Sequence, residues 1–175
     1  MSKPLVILGT ARRRGETWRA IDISFPADSI NLVVVTDINI SAYDYKHENA
    51  NDDFLFVVED MWNANTIVFA TPVYWYAMSA ELKVFFDRLS DLLTIAKEKG
   101  RGLAGKDVWL LASGSEVMLP DGFEVPFART AEYFGMRYCG AAYLYTGDDI
   151  EKRRVSESAL SDFGREVITA SDKLD

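Results

Sequence analysis

Short apolar runs recur along the chain, with amphipathic stretches between them. Leu5-Val6-Ile7-Leu8 ends at Gly9. Leu32-Val33-Val34-Val35, Thr66-Ile67-Val68-Phe69-Ala70 and Val108-Trp109-Leu110-Leu111-Ala112 follow, with a last run from Tyr138 to Tyr145. Continuous apolar runs rich in β-branched and aromatic residues suit strands covered on both faces, the condition of a parallel sheet. Between them, Leu82, Phe85, Phe86, Leu89, Leu92 and Leu93 fall at helical spacing, with Ser79 placed to cap the helix and Glu81 near its positive end. A weaker helix is expected from about Asp52 to Trp62, with Asp52 and Asp53 as charges in its first turn, and others start near Glu16, Val125 and Glu151. About five strands alternating with helices predict an α/β fold, a doubly wound parallel sheet forming one domain over residues 1–175. In such folds ligands bind beyond the carboxyl ends of the strands, where the strand order reverses. The loops after the first, third and fourth strands are therefore the places to look for chemistry.

Composition narrows the function classes. Hydrophobic residues make up 49% and charged residues 26% of the 175, an ordinary globular balance. No run approaches the roughly 18 apolar residues of a membrane helix. Met1-Ser2-Lys3-Pro4 carries no charged-then-apolar leader, so a cytoplasmic protein is expected. A net charge of −8 opposes binding to nucleic acid and to anionic membranes. The one cysteine, Cys139, sits in an apolar stretch and is expected to be an inert core residue. With a single histidine and a single cysteine, a transition-metal centre is not expected. That histidine, His47, lies in a polar stretch and reads as a surface or hydrogen-bonded loop residue. No G-x-S-x-G elbow is present, which argues against a serine hydrolase. Against the acidic background, Arg12, Arg13, Arg14 and Arg19 cluster near the first loop, compatible with an anion site or with a solvated loop.

The first loop, Gly9-Thr10-Ala11-Arg12-Arg13-Arg14-Gly15-Glu16-Thr17, joins a strand to a helix start, where free N–H groups attract phosphate. It fits neither a P-loop, since five residues separate Gly9 from Gly15 and Glu16 follows, nor G-x-G-x-x-G, since Ala11 takes the second glycine position. Phosphate binding and a plain strand–helix connection both remain open on spacing alone. The third-strand loop, Thr71-Pro72-Val73-Tyr74-Trp75-Tyr76-Ala77-Met78-Ser79, sets three large aromatics in a row. They cannot all point inward, so at least one is expected to line a pocket or an interface. The fourth-strand loop opens Ser113-Gly114-Ser115, small residues that let backbone approach a ligand closely.

These motifs resemble those of the NADPH-dependent FMN reductase family, the flavodoxin-like flavoproteins that include quinone, azo and chromate reductases. The family's first loop, Gly-Ser-x-Arg-x-x-Gly-Asn-Thr, is matched from Gly9 to Thr17 at equal length. Its second motif, Ser/Thr-Pro-Val-Tyr-Trp followed by Leu-Lys-x-Phe-x-Asp-Arg, is matched from Thr71 to Arg88. The resemblance covers most of the chain and thins after about Asp148. It implies a flavodoxin-like three-layer fold with strand order 2-1-3-4-5 and FMN as cofactor. Thr10, Arg12, Gly15, Glu16 and Thr17 would surround the flavin phosphate, Pro72, Val73, Tyr74 and Trp75 the ribityl chain and ring, and Ser113 and Gly114 the ring's polar edge. Two residues depart from the family pattern. Thr10 replaces serine and keeps the hydroxyl; Glu16 replaces asparagine and sets a carboxylate beside the expected dianion.

The activity implied is that of an NAD(P)H oxidoreductase. Hydride passes from NAD(P)H to the flavin and on to a quinone-like or other small-molecule acceptor by a ping-pong mechanism, with no catalytic side chain required. The alternative is a flavodoxin-type electron carrier without NAD(P)H turnover of its own. Carriers use a Thr/Ser-rich phosphate loop ending Thr-Gly-x-Thr, where this chain has three arginines. The resemblance also implies a homodimer or homotetramer, with roughly Ile40 to Trp62, including Tyr43, Tyr45, Phe54 and Phe56, at the interface.

Overall fold

The computed structural model describes residues 2–173. Strands β1 (Leu5–Leu8), β2 (Asn31–Val34), β3 (Thr66–Pro72), β4 (Asp107–Gly114) and β5 (Arg137–Tyr145) form one sheet in the order β2-β1-β3-β4-β5. Every pairing is parallel. The order reverses at β1, which pairs with β2 on one side and β3 on the other, Leu8 lying between Val34 and Ala70. Helices α1 (Glu16–Ser24), α2 (Phe54–Asn63), α3 (Ala80–Arg88), α4 (Lys97–Arg101), α5 (Val125–Tyr133) and α6 (Ile150–Lys173) connect or follow the strands.

Strand side chains alternate between two cores. Leu5, Ile7, Ile67, Phe69, Val108 and Leu110 pack with α2, α3 and α5. Val6, Leu8, Val68, Ala70, Trp109 and Leu111 pack with α1 and α6. Both faces are covered, which is why these strands read as unbroken apolar runs instead of alternating ones. Among the described residues no helix is long and apolar enough to cross a membrane.

Three sequence expectations change. The helix expected from Asp52 begins at Phe54, and Asp53 occupies its cap position without a side-chain cap bond. Asp52 instead accepts from Phe54 N with one carboxylate oxygen (3.1 Å) and from Ser41 N with the other (2.8 Å). The apolar stretch around Leu82 splits into α3 and a 3-10 segment, Leu89–Leu93, followed by the short α4. Cys139 is not a core residue. It sits half-exposed on the edge strand β5, at the point where the register shifts between Val108/Tyr138 and Trp109/Gly140. An edge strand lacks a neighbour to bury its far side.

The largest fully buried side chain is Arg88, at 1% exposure. Its Nε donates to Asp91 (2.8 Å), its guanidinium also donates to Asp52 and to the Ser41 carbonyl (3.1 Å), and it lies 4.8 Å over the Phe54 ring. His47, with φ of 57°, joins the cluster through a 3.0 Å hydrogen bond to Asp91. The segment 38–53, which has no regular structure, is thus held to α3 by one cation. Burial pushes the Asp52 carboxyl up, but hydrogen bonds from Arg88, Ser41 and Phe54 outweigh it and hold the group below the usual carboxylate range.

Removing the cation while leaving two buried carboxylates is expected to cost about 3–5 kcal/mol, so Arg88→Met should lower the urea midpoint steeply. A loss under about 1 kcal/mol would mean the cluster behaves as a surface ion pair. The depressed Asp52 pKa contributes stability that is complete above the unfolded value of 3.8 and lost as pH falls through the lower folded one. Between about pH 4 and pH 2 the stability of Asp52→Asn should therefore decline less than that of the parent. Parallel acid limbs in the two proteins would assign the loss to other carboxylates.

Candidate functional site

The site is built where β1 and β3 end and α1 and α3 begin. Gly9 N continues the ladder past β1 by donating to Ala70 O at 2.9 Å. A Cβ at Gly9 would lie 2.4 Å from the Leu82 Cβ, so the absence of a side chain lets α3 close onto the first loop. Ser79 fixes that approach. Its hydroxyl donates to Gly9 O (2.9 Å) and accepts from Leu82 N (3.2 Å) as the cap of α3, while its N–H donates to the Thr71 hydroxyl (3.0 Å).

In the first loop, Arg12 N donates to Thr10 Oγ1 (3.3 Å) and Gly15 N to Arg12 O (3.2 Å), which curls the chain into the start of α1. No side chain caps α1, so its first N–H groups are free for a ligand. Thr10 and Thr17 are buried, and Thr17 Oγ1 shares a 2.7 Å hydrogen bond with Ser113 Oγ at the end of β4. Arg13 pairs with Asp37 at 2.7 Å. Glu16 pairs with Arg19 at 3.3 Å, and Arg19 also holds Glu157 of α6. Among the described residues the Arg12 guanidinium has no hydrogen-bond or ion-pair partner.

These residues border a cavity of about 340 Å³ at the carboxyl ends of β1, β3 and β4. Thr10, Arg12, Gly15, Glu16 and Thr17 form one wall, and Pro72, Val73, Tyr74, Ser113 and Gly114 the facing one. Every residue expected at the site is present except Trp75. Tyr74 to Ala77 form a tight turn closed by reciprocal hydrogen bonds, Tyr74 N to Ala77 O (2.9 Å) and Ala77 N to Tyr74 O (3.0 Å). Its central residues, Trp75 (φ 49°) and Tyr76 (φ 63°), both adopt the left-handed conformation of a type I′ turn. That geometry swings Trp75 outward to 94% exposure and leaves only Tyr74 of the three aromatics in the wall.

Ser115 and Thr146 complete the lining. Thr146 follows β5, outside the three loops singled out in the sequence. The signal for it was the strand order itself, which sets the end of β5 beside that of β4. Its N–H donates to Gly114 O at 2.8 Å, and Val73 N donates to Ser113 O at 2.8 Å, so the polar edge of the cavity is stitched internally. Gly114 is small for a further reason. A Cβ there would meet the Tyr143 hydroxyl at 2.7 Å. Burial pushes that phenol up to about 12, and it donates to the Glu116 carbonyl at 3.0 Å, buttressing the loop after β4.

The arrangement can hold an elongated ligand with an anionic end. The anion would meet the start of α1, two hydroxyls and one unpaired guanidinium; the rest would lie along Pro72, Val73 and Tyr74. A larger cavity, about 590 Å³, opens at the opposite foot of β4 and β5 beside α6. It is a poorer candidate, because it lies away from the switch point and its arginines are already paired, Arg137 with Asp107 and Arg165 with Asp162. No group of potential metal ligands is found among the described residues.

A stretch of 93 residues is 28% identical to a Bacillus subtilis (strain 168) protein named as an NAD(P)H-dependent FMN-containing oxidoreductase, YwqN, and covers 51% of each chain. The chain thus spans about half the length of that relative. Among solved structures, it is similar to RosB with bound 8-demethyl-8-formylriboflavin-5'-phosphate, at 20% identity and TM-score 0.77 over 99% of this chain and 80% of the other. It is also similar to an FMN-dependent NADH-azoreductase from Bacillus anthracis in complex with FMN, at 11% identity and TM-score 0.70 over 96% and 100%. The model of the family described as flavodoxin-like fold matches residues 17–165, and with this sheet order and this loop arrangement the chain belongs to that family.

Proposed function

We propose that the protein is an FMN-dependent NAD(P)H oxidoreductase that passes reducing equivalents through the flavin to a quinone-like or other small acceptor, by a ping-pong cycle at one shared site. The observation that carries this reading is the convergence of the unpaired Arg12, the buried Thr10 and Thr17 hydroxyls and the uncapped start of α1 on one cavity with an apolar far wall. This donor set suits a phosphate monoester. The names of the Bacillus subtilis relative and of the flavin-bound structures support the same cofactor.

The chemistry that FMN supplies when bound is two-electron exchange, with reduced nicotinamide as donor. The residues bind and orient. Thr10, Arg12, Gly15 and Thr17 hold the phosphate, Pro72, Val73 and Tyr74 border the ribityl chain and ring, and Ser113, Gly114, Ser115 and Thr146 meet the polar edge. No side chain serves as acid or base. Trp75 and Tyr76, exposed beyond the cavity wall, offer flat apolar surface to a planar acceptor. Assembly into a homodimer or homotetramer belongs to the same reading. Tyr45 and Phe56 are exposed and available for it, whereas Phe54 is wholly buried in the core and is not.

Steady oxidation of NAD(P)H with a quinone, without any partner protein, distinguishes this enzyme from an electron carrier. Parallel double-reciprocal plots support the shared site, and intersecting ones exclude it. FMN should bind far more tightly than riboflavin, and Arg12→Ala should weaken FMN by about ten-fold or more while leaving riboflavin nearly unchanged. Equal affinity for the two flavins in titrations of the parent protein would remove the phosphate assignment.

Glu16 lines the same cavity, with its charge partly answered by Arg19. Glu16→Asn should tighten FMN by about two- to five-fold at low salt, with the gain shrinking as salt rises. Calorimetry showing weaker binding instead would mean that the carboxylate contacts the cofactor.

A further inference from the structure

Two buried hydroxyls stand in the first-loop wall of the cavity, and each already has a protein partner. Thr10 Oγ1 accepts from Arg12 N at 3.3 Å. A backbone N–H can only donate, so this bond fills a lone pair and leaves the Thr10 proton free. Thr17 Oγ1 lies 2.7 Å from Ser113 Oγ, and here either hydroxyl can be the donor. Thr17 and Ser113 are each 2% exposed, and among the described residues neither hydroxyl has another hydrogen-bond partner. The pair thus holds two protons for one shared bond. The spare proton stays on whichever oxygen accepts.

A phosphate dianion fixes that choice. Its oxygens accept and cannot donate, so it is met only by a hydroxyl whose proton is spare. Thr17 is the second residue of α1, beside the free N–H groups of the helix start, and is the member of the pair on the anion side. Ser113 comes from the end of β4, across the cavity. The dianion is served only if Ser113 donates to Thr17 and Thr17 donates outward. An alcohol in the same place both donates and accepts, so either direction suits it.

We propose that Ser113 is a positioning residue for the phosphate: its hydroxyl donates to Thr17 Oγ1, turns the Thr17 proton toward the anion, and makes this wall favour a phosphate over an alcohol. This rests on the FMN reading above. Thr10 and Thr17 then work alike, each with a lone pair filled by a protein donor and its proton directed outward. Arg12 N does for the first what Ser113 does for the second. Bonds in such a chain polarise one another, so the Ser113 bond strengthens the one from Thr17 to the anion. The Ser113 side chain is committed to the phosphate end, and its backbone is what remains for the polar edge of the ring.

The test is fluorescence titration of the full-length, flavin-free protein with FMN and with riboflavin, in the parent, Ser113→Ala, Thr17→Val and the double variant. Ser113→Ala should weaken FMN by about two- to five-fold and leave riboflavin unchanged. In the Thr17→Val background the same substitution should have no further effect on FMN, because its action runs through Thr17. An equal loss for both flavins overturns the proposal and assigns the Ser113 side chain to the ring. Additive losses from the two substitutions also overturn it, since Ser113 would then act on the cofactor by itself. A parent that binds both flavins equally fails the phosphate reading as a whole. A parent whose preference for FMN survives Ser113→Ala undiminished overturns only the part given to Ser113.

Discussion

Ser79 is the knot on which the site depends. It is completely buried, and each of its polar groups is used. The hydroxyl caps α3 and satisfies the Gly9 carbonyl in the same stroke; the N–H satisfies Thr71. A buried carbonyl left unpaired costs about 1–3 kcal/mol and a lost cap about 1 kcal/mol, so these bonds are comparable with a sizeable share of a small domain's net stability. The knot works only because Gly9 has no side chain to meet Leu82. Through it, the end of β1, the end of β3 and the start of α3 keep a fixed spacing, and the cavity lies between two of those ends. The Thr17–Ser113 hydrogen bond does the same work on the other side, tying α1 to β4. The walls are therefore fixed by bonds within the protein, and a ligand need not order them.

The sheet was legible in the sequence because burial on both faces leaves an unambiguous mark. All five strands fall where apolar runs predicted them, and their order follows the resemblance. The most specific motif, Thr71 to Arg88, proves to be divided in its work. Pro72, Val73 and Tyr74 line the cavity, but Leu82, Phe86 and Arg88 serve the architecture: Leu82 seats on Gly9, Phe86 packs edge-on against Phe69 at 4.9 Å, and Arg88 gathers the segment 38–53. A motif of that kind marks the fold as strongly as the chemistry. What the sequence hid were relations between distant positions. Asp52 reads locally as a helix-start charge, and its pairing with Arg88 spans 36 positions. Thr146 reads as an ordinary residue after a strand until the strand order brings it beside Gly114. The outward swing of Trp75 depends on two bulky residues adopting φ above zero, which side-chain identity argues against.

That turn is a local conflict with an identifiable setting. Type I′ turns favour asparagine and glycine, and here tryptophan and tyrosine occupy both central positions. Strain of order 1–3 kcal/mol per residue persists only where the surroundings over-determine it. Two backbone hydrogen bonds close the turn, Tyr74 is held in the cavity wall, and Ser79 anchors the loop's far end. With both ends pinned five residues apart, the aromatic tip has nowhere to relax. The cost is borne next to the cavity wall, by two exposed side chains that add nothing to the core.

Local electrostatics decides whether an acidic protein can hold an anion. The net charge of −8 acts over distances at which salt screens, the Debye length being about 8 Å at physiological ionic strength. A guanidinium about 4 Å from a phosphate acts at short range, where a unit pair is worth about 4 kcal/mol in an effective dielectric of about 20. The near field therefore decides whether an anion binds, and the distant carboxylates decide mainly how fast it arrives and how salt changes that rate. What matters is which arginines are still free. Arg13 is spent on Asp37. Arg19 is spent on Glu16, which borders the cavity, and on Glu157 of α6. Among the described residues Arg12 and Arg14 remain without an ion-pair partner, and of the two only Arg12 borders the cavity at the strand ends.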